Sequence, residues 1–196
     1  MSTTAREQMV EGAADMLARG GFARASVREV ARHSGAPLGS TYHYFSGGKA
    51  DLAREAVEFA GAATSTELQK ALRKGPIDGV RALLSWWRQI LINSDFESGC
   101  AVLSVAVTES RAGAGAPVVR AAQEVFAEWT QLLRESLVAY GIDESRSDGL
   151  ATMTVCAVEG SVALCRVEES TRALDSVEAT ILAMIQDALP NKAPCR

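Results

Sequence analysis

The sequence predicts an all-α fold of about nine helices. Two observations carry this reading: β-branched runs are short, and helix-period patterns fill nearly every segment between breakers. A third is the regularity of the pattern itself. Between Pro117 and Tyr140, the residues Val118, Ala122, Val125, Trp129, Leu132, Ser136 and Tyr140 recur at steps of three or four, the spacing of one helical face. The breakers are the Gly20 and Gly21 pair, SGAP ending at Pro37, SGG ending at Gly48, RKGPID, NSDFESG, RAGAGAP, YGIDE and EESTR. Glycine and proline interrupt helices there for opposite reasons, one by backbone freedom and the other by a missing N–H.

The first three helices are short and carry the most specific signal. Phe22 and a loop lead to Ser26, with Glu29 three residues on, which makes the capping box S-x-x-E at the start of the second helix. Val27, Val30 and Ala31 then face a core while Arg28 and Arg32 point elsewhere. Gly35 supplies a tight turn, and Pro37 suits the first turn of the next helix. The stretch after Pro37, LGSTYHYF, is too brief to bury a stripe of its own. Gly39 and Ser40 are small enough for close approach to a surface, while Tyr42, His43 and Lys49 offer hydrogen-bond donors. A tyrosine-rich helix end is more often packing than recognition. A capped helix, a glycine turn, a short second helix and an aromatic cluster closed by lysine together predict a helix-turn-helix. Its third helix would enter a major groove, with phosphate contacts behind it.

Charge and composition set the outer bounds. The chain has 196 residues and a net charge of −4, which argues against indiscriminate coating of nucleic acid. Residues 1–54 hold seven Lys or Arg against five acids, so a basic head precedes an acidic body. No uninterrupted apolar run approaches the roughly 18 residues of a membrane span. The N-terminus lacks the basic start and apolar middle of a signal peptide, which predicts a cytoplasmic protein without a membrane partner. Cys100, Cys156, Cys165 and Cys195 form no CxxC pair, and His33 and His43 are the only histidines, so no metal or other cofactor is expected. Nucleophile-elbow, zincin and Walker patterns are absent, which leaves an all-α enzyme as the least favoured class.

From about Met9 to Val57 the chain resembles the TetR family of transcriptional regulators, through GGFARASVREVARHSGAPLGSTYHYFSGGKADLAREAV. Ser26, Val30, Ala31, Gly35, Tyr42, His43, Tyr44, Phe45 and Lys49 fill the family's N-cap, core, turn, aromatic and lysine places. Thr41 stands where a larger apolar residue is usual, and Gly47 with Gly48 lengthens the loop before Lys49. The double glycine, with GCAVLSVAVTES and CAVEGSVALCRVEESTRALDSV, resembles the branch typified by the LmrA and YxaF repressors. The resemblance implies DNA contacts from Ser26, Arg28, Leu38, Gly39, Ser40, Tyr42, His43 and Lys49. It implies buried places for Phe45 and Leu52 and leaves Tyr44 open between phosphate contact and packing.

The expected division is a DNA-binding domain over residues 1–47 and a ligand-binding and dimerisation domain over 48–196. From about Gly48 to Arg73 no proline interrupts a fourth helix that joins them. Most aromatic residues gather in the body, and Trp86, Trp87, Leu103, Phe126, Trp129, Met153 and Cys156 are the candidate contacts of a small-molecule effector. Glu159 lies in an apolar stretch where a carboxylate needs a partner, a dimer mate or a ligand hydroxyl. The last two helices are expected to seal a homodimer, through Leu174, Val177, Ile181, Met184, Ile185 and Ala188 on one side. Gly149, Ala157, Gly160 and Ala163 on the other would permit close approach. The expected function is a repressor on double-stranded operator DNA, released by an apolar or aromatic effector. The alternative trigger is cysteine oxidation, for which Cys100 near a helix N-terminus is the best-placed thiol.

Overall fold

The computed structural model describes residues 4–21, 25–36 and 44–190. Among these residues there are eight α-helices and no strand. They are α1 (Ala5–Gly20), α2 (Val27–Ser34), α3 (Lys49–Leu72), α4 (Pro76–Asn93), α5 (Ala101–Thr108), α6 (Ala116–Ala139), α7 (Glu144–Glu168) and α8 (Arg172–Ala188). A short 3₁₀ turn, Gly113–Gly115, precedes α6. The helix expected from Pro37 lies outside the described residues. The long helix expected over 48–73 is α3, whose 24 residues span about 36 Å.

Local chemistry explains where these helices start and stop. Thr4 and Glu7 close a capping box on α1, with the Thr4 amide donating to Glu7 at 2.7 Å and the Glu7 amide donating to Thr4 Oγ1 at 3.2 Å. Ser26 and Glu29 close the expected box on α2, which ends at Gly35 with a left-handed φ of 68°. Before α3, the Gly47 amide donates to Asp51 at 2.6 Å, and a Cβ on Gly47 would collide with that same carboxylate. Gly48 takes a left-handed φ of 67°. The left-handed turn at Gly48 thus favours glycine, and Gly47 leaves room for the Asp51 carboxylate. At the end of α4, Asp95 and Phe96 are both left-handed, and the Phe96 amide donates to Leu91 O at 2.8 Å.

The chain divides into two compact units, residues 1–64 with 97–126, and residues 65–96 with 127–196. In the first unit, Met9, Ala13 and Leu17 of α1, Val30 and Ala31 of α2, Phe45, Leu52 and Val57 form a core with Val102 and Val105 of α5. Gly12 brings α1 against α2 so closely that a Cβ there would lie 2.9 Å from Ser34 Cβ. On α3, Gly61 has no room for a side chain because Val125 of α6 occupies it. The carbonyls of Leu17 and Ala18 accept from the Ser104 hydroxyl at 3.1 Å and the Gly99 amide at 3.0 Å.

In the second unit α4, α7 and α8 pack on one another. Leu84, Leu91, Leu133, Leu137, Leu150, Val158, Val162, Leu174, Ile181 and Ile185 are buried there. This corrects the expected dimer stripe: Leu174, Ile181 and Ile185 are already covered by their own chain. The face left exposed keeps the expected Met184, Gly149, Gly160 and Ala163 but takes its other apolar residues from α7. It carries Met153, Leu164 and Val167 of α7, which are 50%, 54% and 85% exposed, with Cys156, Ala163 and Met184. Gly149 and Gly160 lie on it with open space above them. By length and composition alone α7 could cross a membrane, and 44% of its apolar window is buried within the chain.

The stripe read on α6 is buried as expected at Val118, Ala122, Val125 and Trp129, but then passes to Leu133 and Leu137 rather than Leu132, Ser136 and Tyr140. The boundary between the two units falls in this helix after Phe126, so its two halves are buried by different partners.

The helix junctions can be tested by substitution and by acid. Gly12→Val should lower stability by about 1 to 3 kcal/mol by forcing α1 from α2; denaturant unfolding against the wild type checks this. In acid the capping boxes matter. Hydrogen bonds from the Thr4 amide and hydroxyl hold the Glu7 carboxyl below its ordinary 4.5. The Ser26 hydroxyl and amide, then the Arg32 and Lys49 charges, do the same for Glu29. A carboxyl more acidic in the folded chain stabilises fully above its ordinary pKa of 4.5 and loses that contribution as pH falls through its folded value. Melting temperature should fall on acidification below that point, and less steeply in Glu7→Gln/Glu29→Gln.

Candidate nucleic-acid interface

The head's surface chemistry begins with α2. Its buried side is Val30 and Ala31, with Val27 and Ser34 half-buried, and this leaves Arg28 and Arg32 exposed one turn apart on the same flank. His33 turns to α1, where Nε2 lies 2.9 Å from Asp15 Oδ2. The same Asp15 accepts from Arg19 Nε at 2.9 Å, and Arg19 reaches Glu97 at 3.0 Å. His33 is thus committed to joining α1 to α2, a tie that helical periodicity does not announce.

Of the residues expected to touch DNA, Ser26, Arg28 and Lys49 are described, and Leu38, Gly39, Ser40, Tyr42 and His43 lie outside the described residues. Ser26 is half-buried and its hydroxyl is occupied: it accepts from the Glu29 amide at 3.3 Å and donates its single proton to Glu29 Oε2 at 2.6 Å. With the box closed it has no proton left for a phosphate oxygen. Its contribution is to fix where α2 begins, and hence where Arg28 points.

Lys49 is the first residue of α3 and is half-buried. A cation at a helix N-terminus opposes the helix dipole, at a cost of about 0.3 to 1 kcal/mol. Arg28 stands in the first turn of α2 and meets the same opposition. Both sites therefore favour a bound anion twice over, through the side-chain charge and through the amides of the helix end. Phe45 and Leu52 are 2% and 1% exposed, as expected of packing positions. Tyr44 is 40% exposed and its ring meets Phe45 edge to face at 6.5 Å, so part of it packs and part stays in solvent.

The effector candidates are distributed between the units. Trp86, Trp87, Trp129, Met153 and Cys156 belong to the second, Leu103 and Phe126 to the first. Trp86 and Trp87 stack edge to face with centroids 5.1 Å apart, Trp87 and Trp129 are buried, and Trp86, Leu103 and Phe126 are half-buried. Met153 and Cys156 are on the exposed face of α7. A groove of about 630 Å³ in the second unit runs between the end of α3 and the start of α4. It is edged by Glu67, Lys70, Lys74, Asp78 and Arg81 around Ala71, Ala82 and Leu83, and none of the effector candidates lines it. Glu159 is 6% exposed. Cys100 caps α5, its sulfur accepting from the Leu103 amide at 3.3 Å, and is only 7% exposed, so an oxidant reaches it only through local opening. Among the described residues no cluster of His, Cys, Asp and Glu could hold a metal ion.

Comparison with known proteins identifies the family. Residues 9–56 match the family of bacterial regulatory proteins called the tetR family. Residues 76–180 match the C-terminal domain of LmrA/YxaF-like transcriptional regulators. The HTH-type transcriptional regulator Rv0196 of Mycobacterium tuberculosis is 34% identical over 96% of this chain and 97% of its own. LmrA of Bacillus subtilis is 26% identical over 90% and 94%. The crystal structure of a TetR transcriptional regulator from Legionella pneumophila shares the fold, with a TM-score of 0.83 and 18% identity over 97% of this chain and 99% of that one.

Proposed function

Because the chain belongs to the TetR family of transcriptional regulators, in its LmrA/YxaF-like branch, we propose that it is a homodimeric repressor of a palindromic operator. In this reading a small, mostly apolar or aromatic effector releases it. The family and its relatives are transcriptional regulators, not enzymes. The observation that carries the DNA half of the proposal is Lys49, a cation held on the first residue of a 24-residue helix, where its charge and the helix-end amides attract the same anion. Residues 1–47 serve as the DNA-binding domain and 48–196 as the effector and dimer domain of a cytoplasmic protein.

Helix α3 carries the signal. Lys49 opens it at the DNA end, and at the other end Leu72 packs onto Gly79 of α4, where a Cβ would lie 2.5 Å from a Leu72 methyl. An effector among Trp86, Trp87 and Trp129 shifts DNA affinity only as far as it prefers one position of α3 over another. Bound operator then weakens effector binding by the same factor.

Dimerisation uses α7 and α8 through the face they leave exposed, with Met153, Leu164 and Met184 as apolar anchors and Gly149 and Gly160 allowing close helix contact. A two-fold dimer presents two recognition helices to half-sites about 34 to 36 Å apart or a multiple of that.

The DNA that the purified protein selects from a random pool tests the function. An enriched inverted repeat is expected. Lys49→Ala should weaken binding to every sequence, and a change at Ser40 should alter which sequence is preferred. A pool with no enriched motif would overturn the proposal. The seam has its own check by sedimentation. Leu164→Glu should yield monomers, because an unpaired buried charge costs about 3 to 5 kcal/mol. Ile181→Glu should instead lower the stability of the fold itself, since that side chain is 2% exposed within one chain.

A further inference from the structure

The head's arginines differ in what they do with their charge. Arg6 pairs with Glu55 at 2.6 Å, Arg19 with Asp15 and Glu97, and Arg54 with Glu58 at 2.6 Å. Arg28 and Arg32 pair with no carboxylate among the described residues, although both are exposed and stand one turn apart on the same flank of α2. Like charges at this spacing repel each other in an isolated helix. Glu29, the acid between them in sequence, forms no salt bridge with either, although the Arg32 charge acts on its carboxylate. Its Oε2 is taken by the Ser26 amide at 3.2 Å and the Ser26 hydroxyl at 2.6 Å. The fold thus leaves two adjacent guanidinium groups without a salt bridge among the described residues and holds one oxygen of the nearby carboxylate in the helix cap.

Resting on the DNA-binding function proposed above, we infer that Arg32 is a second phosphate contact of α2, extending the grip of Arg28 along the DNA backbone. Four residues of helix separate the two side chains by about 6 Å, while each strand presents a phosphate every 3.4 Å or so of axis. The pair therefore meets two different phosphates rather than competing for one. The charges of Arg32 and Lys49 both act on the Glu29 carboxylate, so each lies within electrostatic reach of it. The guanidinium fork suits phosphate oxygens and carries no sequence preference.

Arg32 has a plainer role available, because a cation in the last turn of α2 favours the helix dipole. The two roles separate by measurement. Wild type, Arg28→Ala, Arg32→Ala, Arg32→Lys, Lys49→Ala and a control on the exposed surface of α6, Arg120→Ala, are titrated with one short random-sequence duplex over a range of salt, and each is melted alone. If Arg32 holds a phosphate, Arg32→Ala reduces the slope of log affinity against log salt by about 0.9 per copy bound. Arg32→Lys keeps the wild-type slope, and Arg120→Ala changes nothing. If Arg32→Ala lowers the melting temperature but leaves the slope at wild type while Lys49→Ala flattens it, the inference is overturned and the DNA-binding function stands. If the wild type shows no salt-dependent binding to any duplex, that function itself fails and the inference falls with it.

Discussion

An α-helix ends with carbonyls that have no partner of its own making. In α1 the Ala18 carbonyl is met by a distant part of the sequence, and the Leu17 carbonyl, which already accepts from the Gly21 amide at 3.1 Å, takes a second donor there. Leu17 and Ala18 are met by Ser104 and Gly99, and Arg19 reaches Glu97 beside them. Much of the first unit depends on this closure. It fixes where α5 begins, and it places residues 97–126 in one compact unit with the helix-turn-helix segment. The C-terminal family match covers residues 76–180 and includes that segment, so sequence families and compactness divide the chain differently. Asp15 extends the tie by accepting from both Arg19 and His33, which brings α2 into the same polar chain.

Glycine does the complementary work of letting backbones come close. Gly12 admits Ser34, Gly61 admits Val125, and Gly47 leaves room for the Asp51 carboxylate. Each is a place where a helix position is set by the absence of a side chain, so neither neighbour can shift without losing contact. The head is assembled from polar ties at helix ends and bare backbone at crossings, with Met9, Leu17 and Phe45 filling the space between.

How much of this is legible in the sequence depends on the kind of signal. Helix number and limits are legible because the breakers are strong: Pro76, Gly35 and Gly48 act where the pattern places them. The Ser26–Glu29 box is plain because an apolar run follows it, while the T-x-x-E pattern at Thr4 and Glu7 precedes a helix of weaker periodicity and stands out less. Periodicity tells which side of α8 is buried but not what buries it. Leu174, Ile181 and Ile185 are covered within the chain; on α7 the small residues Gly149, Gly160 and Ala163 mark the exposed face, while Leu164 and Val167 are hidden in the sequence because that helix is apolar on both sides. The ties at Asp15 and Ser104 join residues 18 and 87 positions apart, and no local pattern announces them.

The exposed face of α7 has a consequence for dosage. A single chain that shows Leu164, Val167 and Met184 to water invites chaperones, proteases and other apolar surfaces. Where two copies cover that face, the concentration of dimer rises with the square of free protein at low abundance, and folding and pairing become one equilibrium. In the dimer proposed above, operator occupancy would respond to expression level more steeply than linearly.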